Sequence, residues 1–135
     1  MNYLLDTNVI SETRRVRPHG AVVAWLKAQR EEQLFLSGVS MGELQAGVER
    51  TRRQDSAKAA EIERWLEAVE ASYQVLPMDT RCFREWGRLM DRKSETVLED
   101  AMIAATARVH DLVVATRNEA DFKQFGVRIY NPFKS

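Results

Sequence analysis

Short apolar segments that alternate with amphipathic ones are the feature that most constrains the fold of this chain. The apolar segments lie at residues 2–5, 33–37, 73–78, 112–115 and 127–130, and their lengths suit buried strands. Between them, apolar side chains recur every three or four residues, which predicts helices from about residue 18 and over 41–49, 56–71, 79–90 and 97–110. Strands that alternate with helices favour a three-layer α/β/α domain around a parallel sheet of four to five short strands.

The composition limits the number of domains and the kinds of metal site. With 135 residues, of which 44% are hydrophobic, the sequence predicts a single domain over residues 1–135 with its own core. One cysteine and two histidines are too few for a thiolate zinc site or a histidine-rich site. Any metal ion would therefore be bound mainly by oxygen ligands.

The charge and hydropathy patterns bear on partners and location. A net charge of zero argues against binding nucleic acid by bulk electrostatics alone. Arginine nevertheless outnumbers lysine fifteen to five, and its guanidinium group suits phosphate. No apolar stretch approaches the roughly 20 residues that span a bilayer, and the first residues lack the apolar region of a signal peptide. We expect a cytoplasmic protein with no membrane partner.

Four carboxylates lie where the carboxyl ends of the predicted strands would meet. Asp6 follows the first strand, Glu43 lies in the first turn of the helix after the second strand, and Asp121 follows the strand at 112–115. Asp100 lies early in the helix over 97–110, on a face of small apolar residues where an unpaired charge is costly. Since ligands of open parallel sheets bind beyond these strand ends, the four side chains could converge on one site.

A cluster of four carboxylates would be unstable alone, because like charges raise each other's pKa unless a cation lies between them. Mg²⁺ and Mn²⁺ prefer oxygen ligands. A bound ion of this kind can acidify a water molecule and neutralise charge on a phosphoryl oxygen. The cluster therefore predicts hydrolysis of a phosphodiester bond without a covalent enzyme intermediate.

Each carboxylate also has a purely local explanation. Glu43 follows Ser40 at the spacing of a capping box, which would only close the start of a helix. Glu99 completes the same pattern further along the chain, and there we interpret it as a cap rather than a site residue. Asp6 could cap the helix after it, and Asp121 could face the dipole of a first helical turn. The recurrence of acids at strand ends favours a common site.

Four short blocks of the sequence, taken in order, are together highly specific, and a fifth segment follows them near the end. They are residues 4–12 (LLDTNVISE), 40–47 (SMGELQAG), 99–107 (EDAMIAATA), 115–122 (ATRNEADF) and 127–132 (VRIYNP). In this order they resemble the PIN-domain ribonuclease toxins of the VapC type, in particular the FitB-like branch. The resemblance spans essentially the whole chain.

The resemblance implies a Mg²⁺- or Mn²⁺-dependent endoribonuclease that is the toxin of a toxin–antitoxin pair. The metal-binding and catalytic residues that it implies are Asp6, Glu43, Asp100 and Asp121, with Thr116 as an assisting polar residue. Asn118 stands at a position that is often acidic in the family. The implied partners are an RNA substrate, an antitoxin that masks the site, a second copy in a homodimer, and promoter DNA through the antitoxin alone.

The residue pattern also allows two other functions. A phosphohydrolase or phosphoacceptor module of the same layout would use Asp6 as a nucleophile. Such folds place another acid two residues later, where this chain has Asn8, and a basic residue after a later strand, for which Arg117 is a poor substitute. A non-catalytic, nucleic-acid-binding relative of the same fold would be expected to lose acids from the cluster, and all four positions are acidic.

Overall fold

The sheet is parallel throughout and its strands are short. The structure is a computed structural model that describes residues 1–134. Within this range five strands pair in the order β3-β2-β1-β4-β5: β1 (Tyr3–Leu5), β2 (Leu34–Ser37), β3 (Gln74–Leu76), β4 (Val113–Ala115) and β5 (Ile129–Tyr130). In the centre, Leu4 lies opposite Phe35 of β2 and Val114 of β4. The predicted parallel sheet is confirmed.

Helices cover both faces of this sheet. They are α1 (Thr7–Ile10), α2 (Gly20–Ala28), α3 (Gly38–Arg52), α4 (Ser56–Ser72), α5 (Thr80–Leu89), α6 (Leu98–His110) and α7 (Glu119–Lys123), with 3-10 helices at Ser11–Arg14, Glu31–Gln33, Glu95–Val97 and Pro132–Lys134. Because successive strand residues point to opposite faces, Leu4 joins a buried cluster with Ile103 and Phe122, whereas Leu5 joins another with Val22. This is the predicted three-layer architecture. None of the helices described here has the length and apolar character needed to cross a membrane.

The direction in which the chain adds strands to the sheet reverses at β1. The chain passes from β1 to β2 and β3 on one side, and later to β4 and β5 on the other. The loops after β1 and β4 diverge at this point, and ligands of open parallel sheets usually bind in the crevice between such loops. Asp6 and Thr116 are the first residues after these two strands. We call this region the switch-point edge.

Helix α2 begins later than the sequence predicts. Pro18 lies before the helix, which starts at Gly20 with His19 as its N-cap residue. The buried carboxylate of Glu12 accepts the backbone N–H of His19 at 2.9 Å and takes the place of a capping side chain. Because this acceptor lies seven residues earlier, helical periodicity does not reveal it.

Helix α5 buries a narrower face than the sequence predicts. Cys82 is fully buried, and Trp86 donates its Nε1–H to the carbonyl oxygen of Leu98 at 3.3 Å, so α5 packs along α6. Phe83, one of the apolar side chains from which the helix over 79–90 is predicted, is nevertheless 49% exposed and contacts Trp86 edge-on. Helix α6 is the main neighbour of α5, and it covers only one stripe of that helix.

Candidate active site

Asp6 is held in one orientation at the end of β1. Its backbone N–H donates to the carbonyl oxygen of Ala115 at 2.9 Å, which continues the pairing of β1 with β4. Its Oδ1 accepts the N–H of Thr7 at 2.8 Å, so Asp6 is also the N-cap residue of α1. Its Oδ2 accepts the hydroxyl of Thr116 at 2.7 Å and the side-chain amide of Asn8 at 3.1 Å. Burial raises the pKa of Asp6, although these hydrogen bonds from its neighbours oppose the rise.

Helix α3 begins earlier than predicted, and this changes the interpretation of Glu43. The helix starts at Gly38 directly after β2, because the Ser37 side chain caps it by accepting the N–H of Val39 at 3.1 Å. Glu43 therefore lies beyond the first turn and is not part of a capping box with Ser40. The local explanation of Glu43 is wrong, and its carboxylate is left to interact with other parts of the chain.

Glu43 interacts with the start of α1 and with the start of α6. The hydroxyl of Thr7 donates to Glu43 Oε1 at 3.1 Å and lies 3.0 Å from the hydroxyl oxygen of Ser40. The carboxyl group of Glu99 lies within hydrogen-bonding reach of Glu43. Burial and this second carboxyl group raise the pKa of Glu43 to about 7, although the bond from Thr7 lowers it.

Asp100 reaches the switch-point edge from the first turn of α6 and is half-buried. Burial is the main reason why its pKa rises to about 6, and the negative charges of Asp6, Asp121 and Glu99 add to the rise. Asp100 therefore lies within electrostatic range of two of the other predicted site residues. The structure brings Asp6, Glu43 and Asp100 together from β1, α3 and α6.

Asp121 and Thr116 complete this edge in different ways. Asp121 lies in the first turn of α7 and is exposed, and its charge raises the pKa of both Asp6 and Asp100. Thr116 is fully buried, and its hydroxyl donates to Asp6 while accepting the N–H of Asn118 at 2.9 Å. Asn118 thus supports the site through its backbone.

The sequence analysis did not assign to the site three residues that connect its carboxylates. Thr7 contacts both Asp6 and Glu43, and it could have been noticed as the residue that follows a strand-end acid. Asn8 donates to Asp6 through its amide and accepts the N–H of Arg117 at 3.2 Å, which joins α1 to the loop after β4.

Glu99 is the third such residue, and its interpretation as a helix cap is wrong. Helix α6 starts at Leu98 with Val97 as its N-cap residue, and no side chain caps it. Glu99 instead interacts with Glu43 across the space between α6 and α3. Its position next to Asp100 was the only sign of this role in the sequence.

The donor set suits a hard divalent cation that keeps water ligands. Within residues 1–134, no three Asp, Glu, His or Cys side chains are placed to bind one ion directly. Mg²⁺ keeps several waters and is typically bound by one or two carboxylates, so the arrangement fits such an ion. The raised pKa values of Asp6, Glu43 and Asp100 agree with this, since a cation would favour their ionised forms.

The whole chain is similar to proteins of one family. A family model described as the PIN domain matches residues 3–127. The VapC ribonuclease Y4jK of Sinorhizobium fredii is 37% identical, over 97% of this chain and 97% of the relative. The toxin FitB of Neisseria gonorrhoeae is 33% identical, over 96% of this chain and 97% of the relative. The crystal structure of FitAcB from Neisseria gonorrhoeae matches with a TM-score of 0.88 and 33% identity, over 98% of this chain and 99% of that one. The chain therefore belongs to the PIN-domain family.

Proposed function

We propose that the chain is a metal-dependent endoribonuclease and the toxin of a toxin–antitoxin pair. The names of two relatives, a VapC ribonuclease and the toxin FitB, support this function. The observation that carries it is the group of three carboxylates at the switch-point edge, Asp6, Glu43 and Asp100, whose pKa values all lie above their ordinary range. Burial makes such a group costly when ionised, and a divalent cation offsets this cost.

Asp6 and Asp100 would hold the cation directly, with Glu43 and the exposed Asp121 acting mainly through water. When bound, Mg²⁺ or Mn²⁺ would acidify a water molecule and neutralise charge on a phosphoryl oxygen of the RNA. The bonds from Thr116, Asn8 and Thr7 fix the orientation of the Asp6 carboxylate before any ligand arrives. A carboxylate that is already oriented loses little conformational freedom when it binds a cation.

Glu43 is the side chain best suited to move a proton. The hydroxyl of Thr7 holds its carboxylate in place, and a bound cation would keep this carboxylate ionised and able to accept the proton of the attacking water. The oxygen of this water forms a bond to phosphorus, and the bond from phosphorus to the bridging oxygen breaks. The leaving oxygen takes up a proton from solvent, and Glu43 releases to solvent the proton that it accepted. No covalent bond to the protein is formed.

A phosphoacceptor role for Asp6 fits the geometry less well. A carboxylate nucleophile needs a free oxygen that can approach phosphorus. Asp6 Oδ2 accepts two hydrogen bonds and Oδ1 accepts one, and the residue is only 5% exposed, so the lone pair that Oδ1 keeps suits a small cation better than a bulky phosphoryl group. These contacts favour a role in orienting a ligand over a role in attacking it.

The experiment that tests the proposal measures RNA cleavage by the purified protein with Mg²⁺ or Mn²⁺ and in EDTA. We expect cleavage only with metal, and Asp6→Asn and Asp100→Asn are each expected to lower the rate by at least roughly 100-fold, because each removes a charge that binds the cation. The matched control is Glu67→Gln, an exposed carboxylate on α4, which is expected to retain full activity. Cleavage that persists in EDTA, or in both active-site variants, would contradict the proposal.

We further propose that an antitoxin masks this acidic edge and that two copies of the chain associate. Promoter DNA would be bound only through the antitoxin. The zero net charge of the chain supports the last point, since binding of bare duplex DNA draws mainly on excess positive charge.

A further inference from the structure

A pocket adjoins the switch-point edge where the loop after β4 meets the C-terminal 3-10 helix. Its volume is about 450 Å³, and its lining includes Arg117, Asn118, Asp121, Phe133 and Lys134. This volume lies in the range of pockets that bind small ligands, roughly 300–1,000 Å³. Because Asp121 belongs both to the pocket and to the acidic edge, anything bound in the pocket lies beside the candidate active site.

The guanidinium group of Arg117 is held in this pocket by an aromatic ring. Its Cζ lies 4.2 Å from the centroid of the Phe133 ring. The ring is itself fixed by an edge-on contact with His19, with 5.1 Å between the ring centroids. An arginine stacked in this way keeps its N–H edge free to bind an anion, and little of its freedom remains to be lost.

The backbone of Arg117 is tied to the active-site carboxylate. Its N–H donates to Asn8 Oδ1 at 3.2 Å, and Asn8 in turn donates to Asp6. The preceding residue, Thr116, donates directly to Asp6 at 2.7 Å. Arg117 is therefore placed one peptide unit from a side chain that orients Asp6.

The positive charge of Arg117 is not neutralised by an ion pair within the part of the chain that the structure describes. No carboxylate in residues 1–134 lies within ion-pair distance of its guanidinium group. Glu12 is attracted by Arg117, but both oxygens of Glu12 already accept hydrogen bonds, from Arg15 and from the backbone of His19. The other cation of the pocket, Lys134, is paired with Glu119 at 2.8 Å.

Two arginines that line the groove between α5 and α6 are less available. Arg88 and Arg108 share the carboxylate of Glu85, at 3.2 and 2.6 Å, in the groove between α5 and α6. Their charge is largely compensated inside the protein. Arg117 combines an unpaired charge, a fixed orientation and a position beside the acidic edge.

We propose that this pocket binds a phosphate of the RNA next to the one that is cleaved, and that Arg117 is its ligand. The inference rests on the ribonuclease function proposed above. The acidic edge repels the phosphates on either side of the scissile one. An oriented guanidinium group beside this edge therefore lowers the electrostatic cost of binding the RNA strand. Guanidinium and phosphate form two parallel charge-assisted hydrogen bonds. Arg117 contributes to substrate binding in this scheme and takes no part in the chemical step.

The test compares Arg117→Gln and Arg117→Lys with Arg64→Gln, an exposed arginine on α4 that serves as the matched control for loss of charge. We measure KM and kcat for cleavage of a short single-stranded RNA with Mg²⁺. In the Asp100→Asn background we measure Kd for the same RNA as a function of salt concentration.

Arg117→Gln is expected to raise KM and Kd about tenfold with kcat within about twofold, since one charge-assisted contact is lost. The slope of log K against log salt is expected to fall by about 0.7, the value for one phosphate contact on a single strand. Arg117→Lys is expected to keep most of the salt slope and recover only part of the affinity, because it keeps the charge but loses the planar fork. A purely structural role would lower the melting temperature and leave the salt slope unchanged.

If Arg117→Gln matches Arg64→Gln in KM and in salt slope while the parent protein cleaves RNA, the pocket proposal is wrong and the ribonuclease proposal stands. If RNA binding is unchanged and binding of a partner protein is weakened, the pocket serves that partner and the proposal is also wrong. If the parent protein neither cleaves nor binds RNA, both proposals fail.

Discussion

Thr7 restrains two carboxylates that come from distant parts of the chain. Its backbone N–H binds Asp6 Oδ1, and its hydroxyl binds Glu43 Oε1, a residue 36 positions away. Two acidic side chains that are joined through one residue move together, and their relative position is set before a ligand binds. Thr7 is therefore a positioning residue in the proposed reaction.

Replacement of Thr7 by valine tests this role. Valine keeps the shape of the side chain but leaves Glu43 Oε1 without its partner, so we expect kcat to fall by roughly tenfold and the free energy of unfolding to fall by about 1–3 kcal/mol. Thr7→Ser restores the hydroxyl and is expected to recover most of both. The measurements are cleavage kinetics and urea denaturation. A Thr7→Val enzyme with the kcat of the parent protein would show that the bond has no catalytic role.

At the scale of secondary structure, helices α3 and α6 carry Glu43 and Asp100 to the site by different routes. Helix α3 follows β2 without a loop, since the last residue of the strand, Ser37, is also the N-cap residue of the helix. Helix α6 is preceded by a 3-10 turn over Glu95–Val97 and has no capping side chain of its own. The start of α3 is therefore fixed locally, whereas α6 depends on packing against the sheet and α5.

Removal of the cap of α3 is expected to lower the free energy of unfolding by a measurable amount. Ser37→Ala removes a fully buried hydroxyl and leaves the N–H of the half-buried Val39 without an acceptor, and we expect the free energy of unfolding to fall by about 1 kcal/mol. Ser94→Ala removes a cap from the exposed 3-10 turn and is expected to cost less, because water can replace the lost bond. Denaturant titration of both variants measures the difference, and equal losses would argue against a special role of the α3 cap.

The same elements show what could be predicted from the sequence. The strands and the acids that follow them were predictable, because period, length and strand-end position are local properties of the chain. The start of α2 at Gly20 was not, because it depends on a carboxylate, Glu12, that no local pattern marks as buried. Nor was the role of Glu99, since its contact with Glu43 exists only after α6 has packed beside α3. Contacts of this kind depend on the topology and not on the sequence near them.

For the molecule as a whole, the acidic edge makes stability depend on pH. The pKa of Glu43 rises from 4.5 to about 7 and that of Asp100 from 3.8 to about 6. The folded protein thus binds these two protons more tightly than the unfolded chain does. The stability that the protons provide is fully present below the ordinary pKa values and is lost as the pH rises through the folded ones. Carboxylates with lowered pKa values, such as Glu12, are already largely ionised above pH 5.

We therefore expect the metal-free protein to melt at a higher temperature at pH 5 than at pH 8, by roughly 3–6 °C. Mg²⁺ is expected to raise the melting temperature more at pH 8 than at pH 5, because protons and cation compete for the same carboxylates. Thermal denaturation in EDTA and in Mg²⁺ measures both effects. Glu43→Gln combined with Asp100→Asn is expected to flatten the pH dependence, and a steep dependence that persists in this variant would place its origin elsewhere.

The two outer strands of the sheet have a consequence for assembly. Strand β3 has three residues and β5 has two, so each border offers very few backbone groups to another chain. Strand addition across either border would form only a handful of backbone hydrogen bonds, which disfavours fibre-like growth and sheet-to-sheet dimers alike. A second copy or a partner protein would instead have to recognise helix surfaces, where side chains set the specificity. Such recognition can differ between close relatives while the sheet beneath stays the same.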